Sequence, residues 1–268
     1  MNAPLLRVDK IEVVYKRVIT AVQGVTLSVA DRQIVALLGT NGAGKTTTLR
    51  AISGFLGIDD ARVTEGTISF QGARLENRPP HEIAGRGVVL VPEREKVFPN
   101  LTVAENLIAP VPRAGSTAEQ RRQEEIVFHF FPRLAELRAR IGGLLSGGER
   151  QMLAIAGALM CRPQLLLIDE LSLGLAPVVV GDLTRRLTAI RDELGIAILL
   201  VEQSAATALE IADYAYVMEN GRVVLDGDRA RLKGHQDVQE FYLGQTGGSE
   251  RRSYRDVKQY RRSRRWYG

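Results

Sequence analysis

Residues 37–47 read Leu37-Leu38-Gly39-Thr40-Asn41-Gly42-Ala43-Gly44-Lys45-Thr46-Thr47, and they carry the strongest fold signal in the chain. The apolar run that ends at Leu38 predicts a buried strand, and a helical pattern from Thr47 to Leu56 follows the loop. Between them lies G-x-x-x-x-G-K-T, which is a phosphate-binding loop when it joins a strand to a helix. A chance glycine turn is the alternative, and the flanking strand and helix disfavour it.

The loop residues have distinct parts in binding a nucleotide. Glycines let backbone N–H groups converge on an anion, and the N-terminus of the following helix adds partial positive charge. Lys45 can reach the β- and γ-phosphates, which makes it a candidate catalytic residue, and the Thr46 hydroxyl can ligate Mg²⁺. The predicted cofactors are ATP and Mg²⁺, and the nucleotide-binding residues are Gly39, Thr40, Asn41, Gly42, Ala43, Gly44, Lys45, Thr46 and Thr47.

The composition indicates an α/β protein without a membrane span. The chain has 268 residues, enough for one large domain or two small ones, and 45% of them are apolar. Its longest apolar runs, such as residues 196–201, fall far short of the ~20 residues that cross a bilayer. No signal segment is evident near Met1, so we expect the protein to stay in the cytosol. The single cysteine, Cys161, excludes an internal disulfide.

The positive charge is concentrated at the C-terminus. Residues 249–268 hold eight arginines and lysines against two acids, whereas the rest of the chain is close to neutral. A near-neutral globular part argues against nucleic acid as the main ligand. The tail itself has three readings: a disordered solvated end, a tether to anionic lipid helped by Trp266 and its tyrosines, or a weaker RNA contact.

Two acids follow a buried strand further along the chain. Residues 165–168 read Leu-Leu-Leu-Ile, a parallel-strand pattern, and Asp169 and Glu170 come next. In a chain with a phosphate-binding loop, the first acid is expected beside Mg²⁺. Glu170 is then placed to orient or deprotonate the attacking water. A solvated strand end is the alternative.

A second glycine pair precedes another helix. Ser146 and Glu149 have capping-box spacing around Gly147 and Gly148, and the helix should run to about Met160. A plain helix start is the alternative. Two glycines weaken a helix start by about 1 kcal/mol each, and they make sense if backbone must approach an anion closely.

The other elements follow from shorter patterns. Residues 5–14, 25–35, 66–72, 88–91 and 196–201 predict strands, and 117–140 and 178–194 predict helices. Asn220-Gly221 predicts a hairpin turn. Tyr15 closes the first strand, where it either stacks on a base or packs against the strand end. Residues 93–99 form a charged loop with an apolar tip, which is either exposed or tucked into the helices.

The ordered set of phosphate-binding loop, Leu-Ser-Gly-Gly-Glu segment, Asp-Glu strand and final strand with a polar end resembles the ATP-binding-cassette ATPases. The resemblance covers residues 5 to about 243. More narrowly, residues 91–93, 98–107, 172–177 and 200–203 look like one of the two ATPase subunits of branched-chain amino acid importers, whose relatives also import urea, amides and other hydrophobic compounds.

Three positions depart from the usual cassette pattern. Glu93 stands where the family has a glutamine in the metal and communication loop, and Gln203 stands where the family has a switch histidine. Both changes look shared with the branched-chain subgroup. The resemblance makes Glu93 a metal-site residue with Thr46 and Asp169, and makes Gln203 catalytic with Glu170 and Lys45. Leu171 replaces the proline that normally follows the Asp-Glu pair.

The resemblance implies an α/β P-loop NTPase fold, with a RecA-like core, an antiparallel β piece and a helical subdomain. We expect an ATPase domain over residues 1–248, with its core at 1–93 and 161–248 and the helical subdomain at 94–160, and a basic, disordered tail at 249–268. Two cassettes pack head to tail. The signature loop then acts on the partner's ATP through Ser146, Gly147, Gly148, Glu149 and Gln151.

The function implied is ATP hydrolysis that powers an importer for branched-chain or other hydrophobic amino acids, or related amides. The partners implied are a second cassette subunit of a different paralogue, two membrane permease subunits and, indirectly, an external solute-binding protein. The chain would then lie at the cytoplasmic face of the bacterial inner membrane. A soluble cassette ATPase acting on nucleic acid or ribosomes is the alternative. A P-loop kinase is disfavoured by the signature loop.

Overall fold

The computed structural model describes residues 3–94, 96–111 and 116–234. The basic tail at 249–268, for which the sequence left three readings open, and the glycines near residue 244 lie outside the described residues. Within those ranges, no helix is both long enough and apolar enough to cross a bilayer.

Strands and helices alternate after an antiparallel start. The strands are β1 Leu6–Tyr15, β2 Ile19–Val29, β3 Ile34–Gly39, β4 Ala61–Phe70, β5 Ala73–Arg74, β6 Val88–Val91, β7 Leu165–Asp169, β8 Ala197–Glu202, β9 Tyr214–Glu219 and β10 Arg222–Asp228. The helices are α1 Lys45–Ser53, α2 Pro80–Gly85, α3 Val103–Ile108, α4 Thr117–Phe130, α5 Pro132–Glu136, α6 Gly147–Met160, α7 Pro177–Leu194, α8 Ala205–Ile211 and α9 Arg229–Gly234. Short 3₁₀ helices occupy Phe55–Asp59 and Gly142–Leu144.

Two sheets form the framework. The larger has six strands in the order β10-β9-β3-β8-β7-β6, parallel except for the β9–β10 hairpin. The smaller has four antiparallel strands in the order β2-β1-β4-β5. The predicted fold class, an α/β P-loop core with an antiparallel β piece and helical parts, is confirmed.

The central strand β3 separates two hydrophobic cores. Ile34, Ala36 and Leu38 pack into a core formed with β7, α6, α7 and α8, whereas Val35 and Leu37 pack into the core shared with α1 and the antiparallel sheet. All five side chains are fully buried. Because successive side chains of a strand point to opposite faces, one short apolar run serves both cores.

Several predicted boundaries were wrong. The single strand at 25–35 is two strands, because the chain turns at Asp31 and Arg32, with Arg32 at φ 55° and the Gln33 amide donating to the Ala30 carbonyl. The helix expected from Thr47 starts two residues earlier, at Lys45, and ends at Ser53.

The strand expected at 66–72 is the second half of β4. It continues back through Gly66 to Ala61. Gly66 has φ 80°, and a Cβ there would lie 2.5 Å from the Asp9 carbonyl oxygen, so the glycine allows a bulge inside the strand rather than ending it. The Asn220-Gly221 turn is confirmed, with positive φ at both residues as a type I′ turn requires.

Candidate functional site

The phosphate-binding loop lies at the carboxyl end of the central strand. It leaves β3 at Gly39 and enters α1 at Lys45. Gly44 is the N-cap of α1 at φ 98°, and its position leaves the first amides of α1 without a side-chain cap. Gly42 also has a positive φ of 80°. The loop therefore presents backbone donors at a helix N-terminus, the arrangement that binds phosphate.

Lys45 is folded back over this loop. Its Nζ donates to the carbonyl oxygen of Gly39 at 2.8 Å and to that of Thr40 at 3.3 Å, and it forms an ion pair of 3.2 Å with Oε1 of Glu170. The side chain is 5% exposed. The ammonium is thus held between the loop that would carry the phosphates and the carboxylate predicted to act on water.

Thr46 and Asp169 meet across the end of the parallel sheet. The Thr46 hydroxyl donates to Oδ1 of Asp169 at 3.2 Å, although the two residues are far apart in the chain. The pKa of Asp169 is raised to about 6, chiefly by burial; the charges of Glu170 and Glu93 act in the same direction, and the Thr46 hydrogen bond and the charge of Lys45 oppose it. The ionised form of a buried carboxylate with a raised pKa is strongly stabilised by a nearby cation.

These residues fit Mg²⁺ held jointly with a nucleotide. The set offers a hydroxyl and carboxylates, which are the oxygen ligands that Mg²⁺ prefers. Among the residues that the structure describes, no group of three or more His, Cys, Asp or Glu could hold a metal by itself. The ion would therefore take Thr46 and Asp169 from the protein, and the phosphates would supply further ligands.

Glu170 lies at the start of a tight loop after β7. It has φ 52°, a left-handed conformation that costs a non-glycine residue about 1–2 kcal/mol. Its amide donates to the Val201 carbonyl at 3.0 Å, which ties it to the neighbouring strand β8. The carboxylate is largely buried and faces the cavity beside Lys45. Strain of this kind at a buried acid is common in functional sites.

An open cavity of about 860 Å³ lies in front of the loop. Residues Asn41 to Thr47, Glu93, Glu170 and Gln203 line it, so the structure brings together candidates from four separate segments. Glu93 is partly exposed there and pairs with Arg94 at 3.1 Å. Gln203 is exposed on the wall just after β8.

Tyr15 lies beside the loop but does not line this cavity. Its hydroxyl is 3.2 Å from the hydroxyl oxygen of Thr47 in α1. The ring also packs against the core that α1 shares with the antiparallel sheet. Both a contact with a base and ordinary packing at the strand end remain compatible with this position.

The Asn220-Gly221 turn, which the sequence predicted only as a hairpin, supports the phosphate-binding loop. The Gly221 amide donates to the Ala43 carbonyl at 3.0 Å. A Cβ on Gly221 would lie 2.5 Å from the Ala21 carbonyl oxygen, so only glycine allows this approach. The cavity is also lined by Ile19, Leu173 and Arg94, which were not predicted from the sequence. Their position next to predicted elements was the one sequence signal that pointed to them.

The signature residues do not join the phosphate-binding loop within one chain. Ser146, Gly147, Gly148, Glu149 and Gln151 are absent from the cavity lining. Ser146 caps α6, because its side chain accepts from the Glu149 amide at 3.2 Å and the Glu149 carboxylate accepts from the Ser146 amide at 2.8 Å. The predicted capping box is therefore confirmed.

The glycines of this loop have a packing role that sequence reasoning missed. A Cβ on Gly148 would lie 2.8 Å from Cγ1 of Val179 in α7, and one on Gly147 would lie 3.3 Å from Leu175. The close approach of α6 to α7 thus requires the second glycine even without a bound anion.

Lys96 connects α6, the helix of the signature loop, with the acidic residues around the nucleotide cavity. Its Nζ donates to Oε1 of Gln151 in α6, which is buried. Burial lowers the pKa of Lys96, and four nearby carboxylates raise it. Those carboxylates belong to Glu93, Asp169, Glu202 and Glu170. The ammonium is therefore a cation already present beside the predicted metal site.

Comparisons with known proteins identify the family of this chain. The family model described as ABC transporter matches residues 22–172. The high-affinity branched-chain amino acid transport ATP-binding protein BraG of Pseudomonas aeruginosa is 40% identical, over 90% of this chain and 100% of that protein. The lipopolysaccharide export system ATP-binding protein LptB of Haemophilus influenzae is 34% identical, over 84% of this chain and 91% of that protein.

A solved structure shares the fold. It is the ADP conformation of an ATP-binding cassette of an ABC transporter, with a TM-score of 0.76 and 28% identity, over 91% of this chain and 100% of that one. The family match covers more than half of the chain, and the relatives span nearly all of it. The chain belongs to the ABC transporter family, as an ATP-binding subunit whose activity is ATP hydrolysis coupled to transport.

Proposed function

We propose that this ATPase powers the uptake of branched-chain or other hydrophobic amino acids, or related amides. The observation that carries the proposal is the 40% identity to the branched-chain transport protein BraG over that protein's whole length. Glu93 and Gln203, at the two positions where the usual cassette pattern has glutamine and histidine, fit the same subgroup. In the assembly we propose, a different cassette paralogue pairs with this chain, and two permease subunits and an external binding protein complete the importer.

Lipopolysaccharide export is the second candidate, since the export protein LptB is 34% identical. Deletion of this gene separates the two. We expect the deletion to abolish uptake of labelled leucine, isoleucine and valine and to leave lipopolysaccharide at the cell surface unchanged. Lost surface lipopolysaccharide with normal uptake would reverse the assignment. An ATPase acting on nucleic acid is not favoured by these relatives.

We assign the steps of hydrolysis to residues around the cavity. Lys45, now paired with Glu170 at 3.2 Å, would exchange that contact for the β- and γ-phosphates. Bound Mg²⁺ would neutralise charge on the phosphate oxygens, with Thr46 and Asp169 as ligands and Glu93 nearby. Glu170 would orient or deprotonate the attacking water, and Gln203 would donate to the γ-phosphate.

Replacement of the carboxylate tests the role of Glu170. We expect Glu170→Gln to bind ATP normally, to lose most turnover, and to accumulate as an ATP-bound dimer. The matched control is Glu193→Gln, a surface change in α7. Nucleotide binding, phosphate release and size-exclusion chromatography give the three readouts. Turnover of Glu170→Gln within a few-fold of the unmodified protein would contradict the assignment.

We also propose that residues 94–160 form a helical subdomain that contacts the permease. It is supported by the consecutive helices α3 to α6, and by the side chain of Phe98 in the loop after Glu93, which is 57% exposed. Asn106 fixes this loop, since it accepts from the Phe98 amide at 2.7 Å and donates to the Phe98 carbonyl at 3.0 Å. A peripheral position at the cytoplasmic face of the membrane follows from a permease contact.

A further inference from the structure

Glu202 is a buried acid to which the steps above assign no part. It is the last residue of β8, directly before Gln203, and it is fully buried. Both carboxylate oxygens are bonded to one residue of another segment. Oε1 accepts from the Ser172 amide and Oε2 from the Ser172 hydroxyl, each at 2.8 Å.

Burial of a carboxylate costs free energy, so we expect Glu202 to have a role that an apolar residue could not fill. Burial raises the pKa of Glu202, and the two bonds from Ser172 act in the opposite direction. A buried charge is often replaceable by an apolar side chain with little loss of stability. What the burial of Glu202 achieves is therefore the two-bond attachment of Ser172, which an apolar residue cannot provide.

Ser172 belongs to the loop that carries Glu170. This loop is attached to β8 at two successive points, since the Glu170 amide donates to the Val201 carbonyl at 3.0 Å and Ser172 bonds to Glu202. Between the two attachments lies Leu171, at the position where cassette ATPases usually carry a proline. The carboxylate of Glu202 thus supplies, from a neighbouring strand, a restraint that the loop's own sequence lacks.

The same two bonds also affect Leu173 and Gln203, the neighbours of Ser172 and Glu202 in the chain. Leu173, next to Ser172, is 54% exposed and lines the nucleotide cavity. Gln203 follows Glu202 directly and lines the same cavity. One carboxylate therefore links the loop after β7, which carries Glu170 and Leu173, to Gln203 at the end of β8.

We propose that Glu202 is a positioning residue for ATP hydrolysis, which holds the loop of Glu170 in register with Gln203 through its two bonds to Ser172. The inference rests on the proposed role of Glu170. In this role Glu202 does not contact the nucleotide, so its replacement should lower turnover and leave ATP binding unchanged.

The test uses the full chain at concentrations where two cassettes can pair. We expect Glu202→Leu to lower kcat roughly ten- to hundredfold, because two charge-assisted bonds are lost, while the Kd for a fluorescent ATP analogue stays within about twofold. Glu202→Gln keeps an acceptor and a donor for Ser172, so it should retain kcat within about threefold.

Two further variants separate positioning from stability. Ser116→Ala removes the cap of α4, in which the Ser116 side chain accepts from the Glu119 amide at 3.2 Å, and it should lower the melting temperature with little change in kcat. Ser172→Ala removes one of the two bonds and should lower kcat less than Glu202→Leu. The double variant should be no worse than Glu202→Leu alone, because both changes act on one contact.

The outcomes are decisive in either direction. Glu202→Leu with kcat within twofold of the unmodified protein overturns the inference, as does a parallel fall of kcat, ATP affinity and melting temperature. If Glu202→Leu does not fold, Ser172→Ala with unchanged kcat overturns it in the same way. If the proposed role of Glu170 itself is wrong, Glu170→Gln would keep its turnover. That result is distinct from a failure of the role proposed for Glu202.

Discussion

Two helices of this chain have glycines at their N-termini, and they use those glycines differently. At α1, Gly44 lies in a left-handed conformation, and no side chain caps the first amides. At α6, Ser146 and Glu149 satisfy the end amides with a capping box, and Gly148 provides space for Val179. The first helix end has no side-chain cap and is left open for a ligand, whereas the second is capped in part by its own side chains.

Glycine next to a helix N-terminus therefore does not by itself identify an anion site. The backbone conformation and the cap decide which amides are free. In the α1 loop the amides, Lys45 and Thr46 converge on one cavity of a single chain. In the α6 loop the capping box uses the amides of Ser146 and Glu149, so an incoming phosphate would have to bind through the amides of Gly147 and Gly148 between them.

Removal of Lys45 should produce the largest difference between the two regions. We expect Lys45→Ala to raise the Kd for a fluorescent ATP analogue roughly ten- to hundredfold, because a charged phosphate contact is lost. Ser146→Ala, measured on unpaired cassettes, should leave that Kd within about twofold, since its helix end lies outside the cavity. Equal losses in the two variants would show that one chain uses both helix ends.

Gly148→Ala should expose the packing role of the second glycine. The added Cβ would lie 2.8 Å from Cγ1 of Val179, so we expect a loss of about 1–3 kcal/mol in the free energy of unfolding. Val179→Ala in the same chain should recover most of that loss, which urea unfolding would measure.

Gly42→Ala is the matched variant in the other loop. Gly42 has φ 80°, and no atom lies within 4 Å of the position that an added methyl group would take. The cost of Gly42→Ala therefore comes from the backbone, and no neighbouring truncation should recover it. If Val179→Ala fails to rescue Gly148→Ala, packing against α7 is not the reason for the second glycine.

The pH dependence of stability should have opposite signs in the two regions. Asp169 has its pKa raised to about 6, so its ionised form destabilises the folded state. That cost develops as the pH rises from about 4 to 6 and is fully present above it. In nucleotide-free protein, Asp169→Asn should therefore raise the melting temperature by roughly 2–4 °C per kcal/mol recovered at pH 7.5, and by less at pH 4.5.

Glu149 provides the opposite case. Hydrogen bonding from the Ser146 amide lowers its pKa, so its ionised form stabilises the fold above its ordinary pKa, and this contribution is lost as the pH falls through the folded value. Glu149→Gln should lower the melting temperature at pH 7.5 and have less effect at low pH. The same sign for both variants would contradict the contrast between an open and a satisfied helix end.

Lys96 links the two regions, and its removal should give the smallest effect. Lys96→Met removes a cation beside the predicted Mg²⁺ site, so we expect the half-activating Mg²⁺ concentration for hydrolysis to fall roughly three- to tenfold. Lys96→Arg keeps the charge and should keep that concentration. A merely structural role of Lys96 would leave it unchanged or raise it.

The sequence predicted what is local and missed what is long-range. The phosphate-binding loop, Asp169 and Glu170 follow from motifs of a few residues, and the fold class follows from the strand and helix pattern around them. The contacts of Gly148 with Val179, Gly221 with Ala43 and Glu202 with Ser172 join segments distant in the chain. No spacing rule relates such pairs, because tertiary packing alone brings them together.

Boundaries failed for a similar reason. Residues 25–35 are apolar enough for one strand, yet the chain reverses at Arg32, where the Gln33 side chain accepts from the Ala30 amide. Gly66 looked like a strand end, and the neighbouring β1 instead accommodates it as a bulge. At Arg32 a local turn divides the apolar run, whereas at Gly66 the partner strand fixes the outcome.

The division of β3 between two hydrophobic cores has a consequence for cooperativity. Because alternate side chains of this strand belong to opposite cores, the loss of either core would remove about half of the side-chain packing that holds the strand. Partial unfolding that spares one half of the molecule is therefore disfavoured, and the described residues should denature as one unit. Since the nucleotide loop is the direct continuation of β3, a bound nucleotide should raise the transition of both halves together.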